Sequence, residues 1–537
     1  MVVGVASLTG SAAPASPTDR THVDGSSDEA AVEGVPNEPG TLSGRINLTN
    51  ANTTVRGANE SDRLGTAVAE VGDLNGDGVA DVAIGAPRND TGGFNAGAVY
   101  VFYGPVAPGD VNASDANVTL YSAAPNSRAG AALGGADVDG DAESELLVGA
   151  PRGDQAAFDA GAVYVVDFDE DTPANASLAD ATRKFLGTGQ LDRAGTSVAG
   201  VGNMTDETPD RVLVGAPGND STGTNAGAAY LLANVTDSTT RNRSLATANA
   251  TFTGVSSGDR AGAAVSTAGD FDGDGDHDLL VGAPRNNSTA VDAGAVYVLT
   301  AETFAANQSL ATARVTLAGD HAGDRAGFAV SSAGDVNNDT YGDVVVGAPF
   351  NDSNGNASGV AYVVQGSATA DGTTNLSEAG VALRGNAAFD RAGWSVAAGG
   401  SGDVTCDAYA DVLVGAPGND SAAPNAGAAY LVTGGETFEG DRNLSTAEAT
   451  AVGVGEDDNA GYAVSGLGDV TGDRTKDVVV GAPLNDSATG NNTGAAYVLN
   501  GTCVPSERAP DPTGEIVDVT CTDVSIEARN VDARPSR

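Results

Sequence analysis

Between Asp270 and Asp278 the chain places five aspartates in nine residues, DFDGDGDHD, and then turns apolar, LLVGAP. Like charges this close repel, by about 1 kcal/mol per pair at 4 Å even in water, so something must offset them. Counted from Asp270, carboxylates fall at positions 1, 3, 5 and 9: Asp270, Asp272, Asp274 and Asp278. Gly275 at position 6 permits a sharp turn. Oxygen ligands at this spacing, with a backbone carbonyl expected at position 7, begin the ligand scheme of a calcium-binding loop. The departure is that the last carboxylate stands at position 9 rather than 12, and a strand-like run follows instead of a helix. A bound divalent cation, surrounded by oxygens at about 2.3–2.6 Å, would offset the repulsion.

The pattern recurs. Asp73, Asn75, Asp77 and Asp81 form a second copy, with Gly78 at the turn. Asp335, Asn337, Asp339 and Asp343 form a third, with Thr340 in the glycine position. Asp403, Thr405, Asp407 and Asp411 make a fourth, and Asp469, Thr471, Asp473 and Asp477 a fifth; Thr at position 3 is a weaker ligand. Asp137, Asp139, Asp141 and Glu145 form a poorer match, because Ala142 replaces the glycine. A seventh stretch has Asn203, Thr205 and Glu207 but Arg211 at position 9, and a cation there opposes calcium, so that loop is expected to hold none. One such loop could be an ordinary Asp/Gly turn. Five in register point to about five Ca²⁺ sites, mainly structural, each stiffening a hairpin.

These loops sit in a long-period repeat. The motif GAP recurs at Gly85, Gly149, Gly215, Gly282, Gly347, Gly415 and Gly481. Seven copies at a near-constant period mean one repeat architecture rather than several domains. Each copy opens with a cue such as DRLG or DRAG, continues with an alternating apolar run and the acidic loop, and reaches the GAP strand. A polar loop, a run such as AGAVYVF and a last short run such as ATFTG complete it. Short Val-, Ala- and Tyr-rich runs between Gly/Asn/Asp clusters read as strands. Four strands per repeat predict an all-β, seven-bladed β-propeller with four-stranded blades; a linear β-solenoid is the competing architecture. ANTTVRG, from Ala51 to Gly57, matches the last strand of a repeat, and the seventh repeat lacks that strand. The N-terminal strand is therefore expected to close the last blade and remove an open edge.

On these motifs the chain resembles the FG-GAP repeats of integrin alpha-subunit propellers, over about residues 50 to 503. The FG half is altered, to Leu64-Gly65 once and to Ala-Gly elsewhere, as at Ala261-Gly262. The resemblance implies a seven-bladed propeller with calcium in the loops of some blades, and binding of protein or glycan ligands at a cell surface. The repeat spacing leaves no room for an inserted ligand-binding domain, so only the propeller module carries over.

Composition narrows the rest. The chain has 26 basic and 72 acidic residues among 537, a net charge of −46. With no basic stripe to displace counterions, nucleic acid is an unlikely partner class. An acidic surplus with only two lysines, Lys184 and Lys476, resembles proteins of salt-loving archaea, where salt screens self-repulsion. An acidic, calcium-loaded protein of an ordinary habitat is the alternative. No apolar run is long enough to span a membrane. Residues 1–39 read as a leader, either a signal remnant or a disordered segment, 40–504 as the propeller, and 505–537 as a Pro-rich linker with a short strand-like tail. Cys503 and Cys521 either pair or remain thiols. Sequons such as Asn112, Asn117, Asn234, Asn307 and Asn375 suit a glycoprotein. The cue arginines could form a ring for an anionic ligand; in so acidic a chain, pairing with a neighbouring blade's aspartate is the favoured expectation. His277, inside an acidic loop, is expected to face solvent. No nucleophile–base pair or metalloprotease motif is visible. The reading is a non-enzymatic, extracellular adhesion or recognition module. The alternatives are a carbohydrate-active lyase or hydrolase on the same scaffold, or a structural envelope protein.

Overall fold

The computed structural model describes residues 42–502, apart from 169–171, 203, 205–208, 236–239, 301–306 and 400–401. The leader, the tail, Cys503, Cys521 and most of the loop that begins at Asn203 lie outside the described residues. Seven sheets account for the strands. In the first blade the strands run outward from the axis as Ala67–Glu70, Val82–Ala86, Ala98–Phe102 and Val118–Tyr121, each antiparallel to the next. The other blades repeat this meander.

The sequence pattern follows from position in the ring. VAIGA and AVYVF are buried throughout, because a blade's middle strands are covered on both faces by neighbouring blades. The hydrophobic core is accordingly divided among the blade interfaces. Val99, Val101, Leu146, Val148 and Tyr164 fill the seam between the first two blades, and Ile84, Tyr100, Val479 and Val498 the seam between the last and the first. The GAP glycine is a seam residue too. A Cβ on Gly85 would stand 2.1 Å from the carbonyl oxygen of Gly130 in the next blade, and one on Gly481 would stand 2.1 Å from that of Gly65 across the closure.

Closure occurs as expected: Thr53–Arg56 pairs antiparallel with Ala495–Asn500 and supplies the fourth strand of the seventh blade. Each sheet also has a fifth strand, which the repeat pattern did not reveal. It is two to four residues long, runs parallel to the fourth, and belongs to the connection between the third and fourth strands of the following blade. Gly44–Asn47 thus adds to the sixth blade while the strand just after it completes the seventh. Between the two lies a 3₁₀ turn with a buried leucine: Leu48 here, and Leu178, Leu245, Leu310 and Leu444 at equivalent crossovers. Cys406 is disulfide-bonded.

Candidate metal centres

Each acidic loop joins the innermost strand of a blade to its GAP strand, so all of them lie at one end of the ring. The carboxylate at position 1 organises the turn by accepting backbone N–H groups from positions 5 and 6. Asp77 N and Gly78 N donate to Asp73 at 3.1 and 2.6 Å, and Asp339 N and Thr340 N donate to Asp335 at 3.0 and 2.8 Å. Asp403 and Asp469 do the same in their loops. Position 6 is left-handed whatever residue occupies it: φ is 83° at Gly78 and 95° at Gly275, but also 76° at Ala142, 77° at Thr340, 76° at Ala408 and 74° at Arg474. The hydrogen bonds outweigh a preference for glycine of about 1–2 kcal/mol, so the missing glycine at Ala142 does not spoil that loop.

The position-9 carboxylate is buried and binds backbone. Asp81, Asp278, Asp343, Asp411 and Asp477 are 0% exposed and Glu145 is 2%. Asp81 accepts from Leu74 N inside its loop and from Gly104 N at the end of the next hairpin, both at 2.9 Å. Asp343 does likewise with Val336 N and Gly366 N. Burial, reinforced by the other loop acids, pushes Asp81 up to about 6, Asp343, Asp411 and Asp477 up to about 7, and Glu145 up to about 8.

Among the described residues, three carboxylates come within 4.8 Å of one another in two loops: Asp270, Asp272 and Asp274, and Asp137, Asp139 and Glu145. The second is the loop that its sequence ranked lower. Asn75, Asn337, Thr405 and Thr471 hold position 3 elsewhere and supply a neutral oxygen. The groups fit a hard cation. The donors are all oxygen, and Asp270 Oδ1 and Asp477 Oδ1 are buried with no hydrogen-bond donor. Calcium would be held by these side chains. One feature opposes it: the Arg314 guanidinium forms an ion pair with Asp272. The loops also touch around the ring. Ser144 N donates to Asp73 O, Asp210 N to Asp137 O, Gly342 N to Asp270 O and Ala410 N to Asp335 O, at 2.7–2.9 Å. His277 is half-buried rather than solvent-facing, its Nδ1 3.3 Å from Val201 O of the preceding blade.

The opposite end of the ring carries the cues, where the structure corrects the expected pairing. The cue aspartate does not bind the cue arginine of a neighbour. It is buried and binds an asparagine just after its own GAP motif, which also reaches a tyrosine. Asn89 Nδ2 donates to Asp62 at 2.8 Å and lies 3.3 Å from Tyr100 Oη; Asp259, Asn286 and Tyr297 repeat this at 3.1 and 3.1 Å. The recurrence of Asp, Asn and Tyr was in the sequence, but no chemistry had been attached to it.

A family model described as "FG-GAP repeat" matches residues 65–102, 129–166, 261–299 and 326–364, each from a cue through the acidic loop and GAP strand to the third strand. The chain carries FG-GAP repeats. Its integrin-alpha-like propeller is similar to integrin alpha pat-2 of Caenorhabditis briggsae, 29% identical over 47% of this chain and 20% of that protein. It is 38% identical to integrin alpha-PS2 of Drosophila melanogaster, over 22% of this chain and 8% of that protein. Bovine phosphatidylinositol-glycan-specific phospholipase D is 37% identical over 21% of this chain and 14% of its own length. The matched stretches are thus a fifth or less of these relatives. Among the described residues of this FG-GAP propeller, no helix is long and apolar enough to cross a membrane.

Proposed function

We propose that the FG-GAP propeller is an extracellular, calcium-loaded and non-catalytic module for adhesion or surface recognition of a protein or glycan ligand. The observation that carries the calcium part is the coupling of loops to the rest of the ring. The position-1 carbonyl bonds the next blade at Asp73, Asp137, Asp270 and Asp335, and the position-9 carboxylate bonds the next hairpin at Asp81, Asp343 and Asp411. A cation held between those two residues would therefore stiffen the base of the ring and leave the other end free for recognition. Similarity to integrin alpha chains supports the recognition part. Similarity to a phospholipase D shows that a protein named as an enzyme can carry related sequence, so catalysis needs its own test. Metal analysis of calcium-replete protein should find about five ions per chain, and a protein and glycan array should show ligands retained with calcium. Turnover on a polysaccharide panel would overturn the non-catalytic reading, and metal-free protein from calcium-replete buffer the calcium reading.

A further inference from the structure

The cue arginines form a strongly cationic feature in a chain of net charge −46. Two cavities of about 560 and 380 Å³ open along the axis at the cue end and share Thr66, Ala131, Arg193, Thr196 and Tyr462. The larger is lined by the innermost strands of all seven blades, from Val68 round to Val464. Arg63, Arg128, Arg193, Arg260 and Arg325 line the pair, joined by Arg88, Arg152 and Arg285, each the residue after a GAP motif. No carboxylate lines either cavity.

These arginines face one another rather than counter-charges. None takes part in an ion pair among the described residues, and Arg63 Nε and Arg193 Nε are buried with no hydrogen-bond partner. Burial and neighbouring guanidinium groups lower the affinity of Arg63, Arg128 and Arg260 for their protons; Asp159 and Asp292 oppose this only as the weakest influence on Arg128 and Arg260. The backbone does not ask for arginine. From Arg63 to Arg391 the six cue arginines have φ of 55–58°, and Asn459 takes the seventh position at 56°. Asparagine is the residue that tolerates this region, and a bulky side chain there is an outlier. Five of these arginines line the mouth, close to one another and without an ion pair, at an asparagine-type position, and they point to a ligand.

The mouth also carries aromatic rings. On the fifth, sixth and seventh blades, the first of which also carries Arg325, the residues Phe328, Trp394 and Tyr462 occupy the place held by Thr66, Ala131 and Thr196 elsewhere, and Phe350 occupies that of Arg88. Ring centroids are 4.7 Å apart for Phe328–Trp394 and 5.6 Å for Trp394–Tyr462. Arg325 lies over Phe350 at 4.5 Å and Arg391 over Trp394 at 5.8 Å. Guanidinium recognises planar oxyanions bidentately, and aromatic faces accept an apolar ring face.

The geometry points to an acidic saccharide as the occupant, its carboxylate or sulfate groups on the arginine arc and a sugar ring on the aromatic arc. A sugar acid carries both features on one rigid ring, whereas an acidic peptide offers charge on flexible stems with no ring to stack. The cavity volumes suit a ligand of a few sugar units. A net charge of −46 repels anions over much of the remaining surface, which favours binding at the axis. This assignment rests on the recognition reading and names the ligand class for it.

Titration calorimetry of the full chain with an oligouronate, a sulfated oligosaccharide, a neutral oligosaccharide of equal length, hexaglutamate and inorganic sulfate tests it. At least one acidic saccharide should bind, at least tenfold more tightly than hexaglutamate or sulfate, and the neutral sugar should not bind. Arg193→Ala and Arg260→Ala should each weaken that binding at least tenfold, Arg193→Lys less, and Trp394→Ala should weaken the saccharide while leaving sulfate unchanged. Arg241→Ala, which removes the same charge far from the axis, should change nothing, and melting curves show which variants are folded. Equal binding of hexaglutamate overturns the saccharide in favour of an acidic peptide, and binding of sulfate alone reduces the mouth to a simple anion hole. Silence towards every probe removes the site. Saccharide binding that survives the arginine substitutions also removes the site while leaving the recognition reading intact; an array on which the chain binds nothing defeats that broader reading.

Discussion

The position-9 aspartates do two jobs that substitution can separate. Asp343 would donate to a cation, and it also holds Val336 N and Gly366 N. Asp339, at position 5, is exposed and bonds only loop atoms. Asp343→Ala should therefore destabilise the protein even in chelator, because two buried N–H groups lose their acceptor at about 1–3 kcal/mol each. Asp339→Ala should lower the melting temperature only when calcium is present; equal effects of the two variants in chelator would contradict this division. Asp259 gives a separate, metal-independent reading of pH. It is fully buried, its Oδ1 has no donor, and burial raises its carboxyl above the ordinary range. The folded state thus holds this proton more tightly than the unfolded chain. Its contribution is present at low pH and is lost as pH rises through the raised value. Asp259→Asn should flatten the melting temperature against pH just above the ordinary carboxylate value of about 4, and an unchanged slope would show that the group titrates normally.

Strand and seam obey a different constraint, that of close approach. In the cue and GAP motifs the glycines sit where one blade's backbone meets the next, and the hydrogen bond Gly65 N to Gly85 O at 3.0 Å locks the cue to its own GAP strand. Gly481→Ala puts a methyl 2.1 Å from Gly65 O at the point of closure. Overpacking of this kind costs about 1–3 kcal/mol, and here it falls beside the seventh blade, whose sheet is completed by a strand from the other end of the ring's chain. The variant should show a lower denaturant midpoint than Gly78→Ala, whose added Cβ meets nothing within 4 Å although its φ of 83° is strained. Matching midpoints would mean that the seam relaxes freely.

Charge governs the ring as a unit. Several acidic loops are linked edge to edge at one end, and the chain carries −46. Ligands that bind only the folded state stabilise it by mass action, about 2.7 kcal/mol per site at a hundredfold excess over Kd. Chelation in low salt should lower the melting temperature sharply. Molar monovalent salt, with a Debye length near 3 Å, should restore part of the loss by screening, but not the part due to coordination. A melting temperature indifferent to chelator in low salt would reduce the loops to acidic turns. Arginines and aromatics at the other end should be untouched by chelator when the ring is kept folded by salt, so saccharide binding there should persist.

Seven repeats, four meander strands each and the completion of the last blade by the first strand could be read along the chain, because each is a local pattern repeated at a fixed period. The acidic loops were legible for the same reason: nine consecutive residues contain the whole turn. Glycine is not what makes the turn: Ala142 forms the same left-handed turn through its hydrogen bonds. The fifth strand was hidden because it is two to four residues long and pairs with the preceding blade, not with its own. Where the arginines go was hidden more deeply. In sequence every cue arginine but Arg128 stands beside an aspartate, and nearest-neighbour charge arithmetic predicts pairing. Ring closure sends that aspartate to an asparagine 27 residues on and brings arginines some 65 residues apart to a common axis. Convergence on an axis is a property of the closed ring, and no stretch of the chain shorter than the ring contains it.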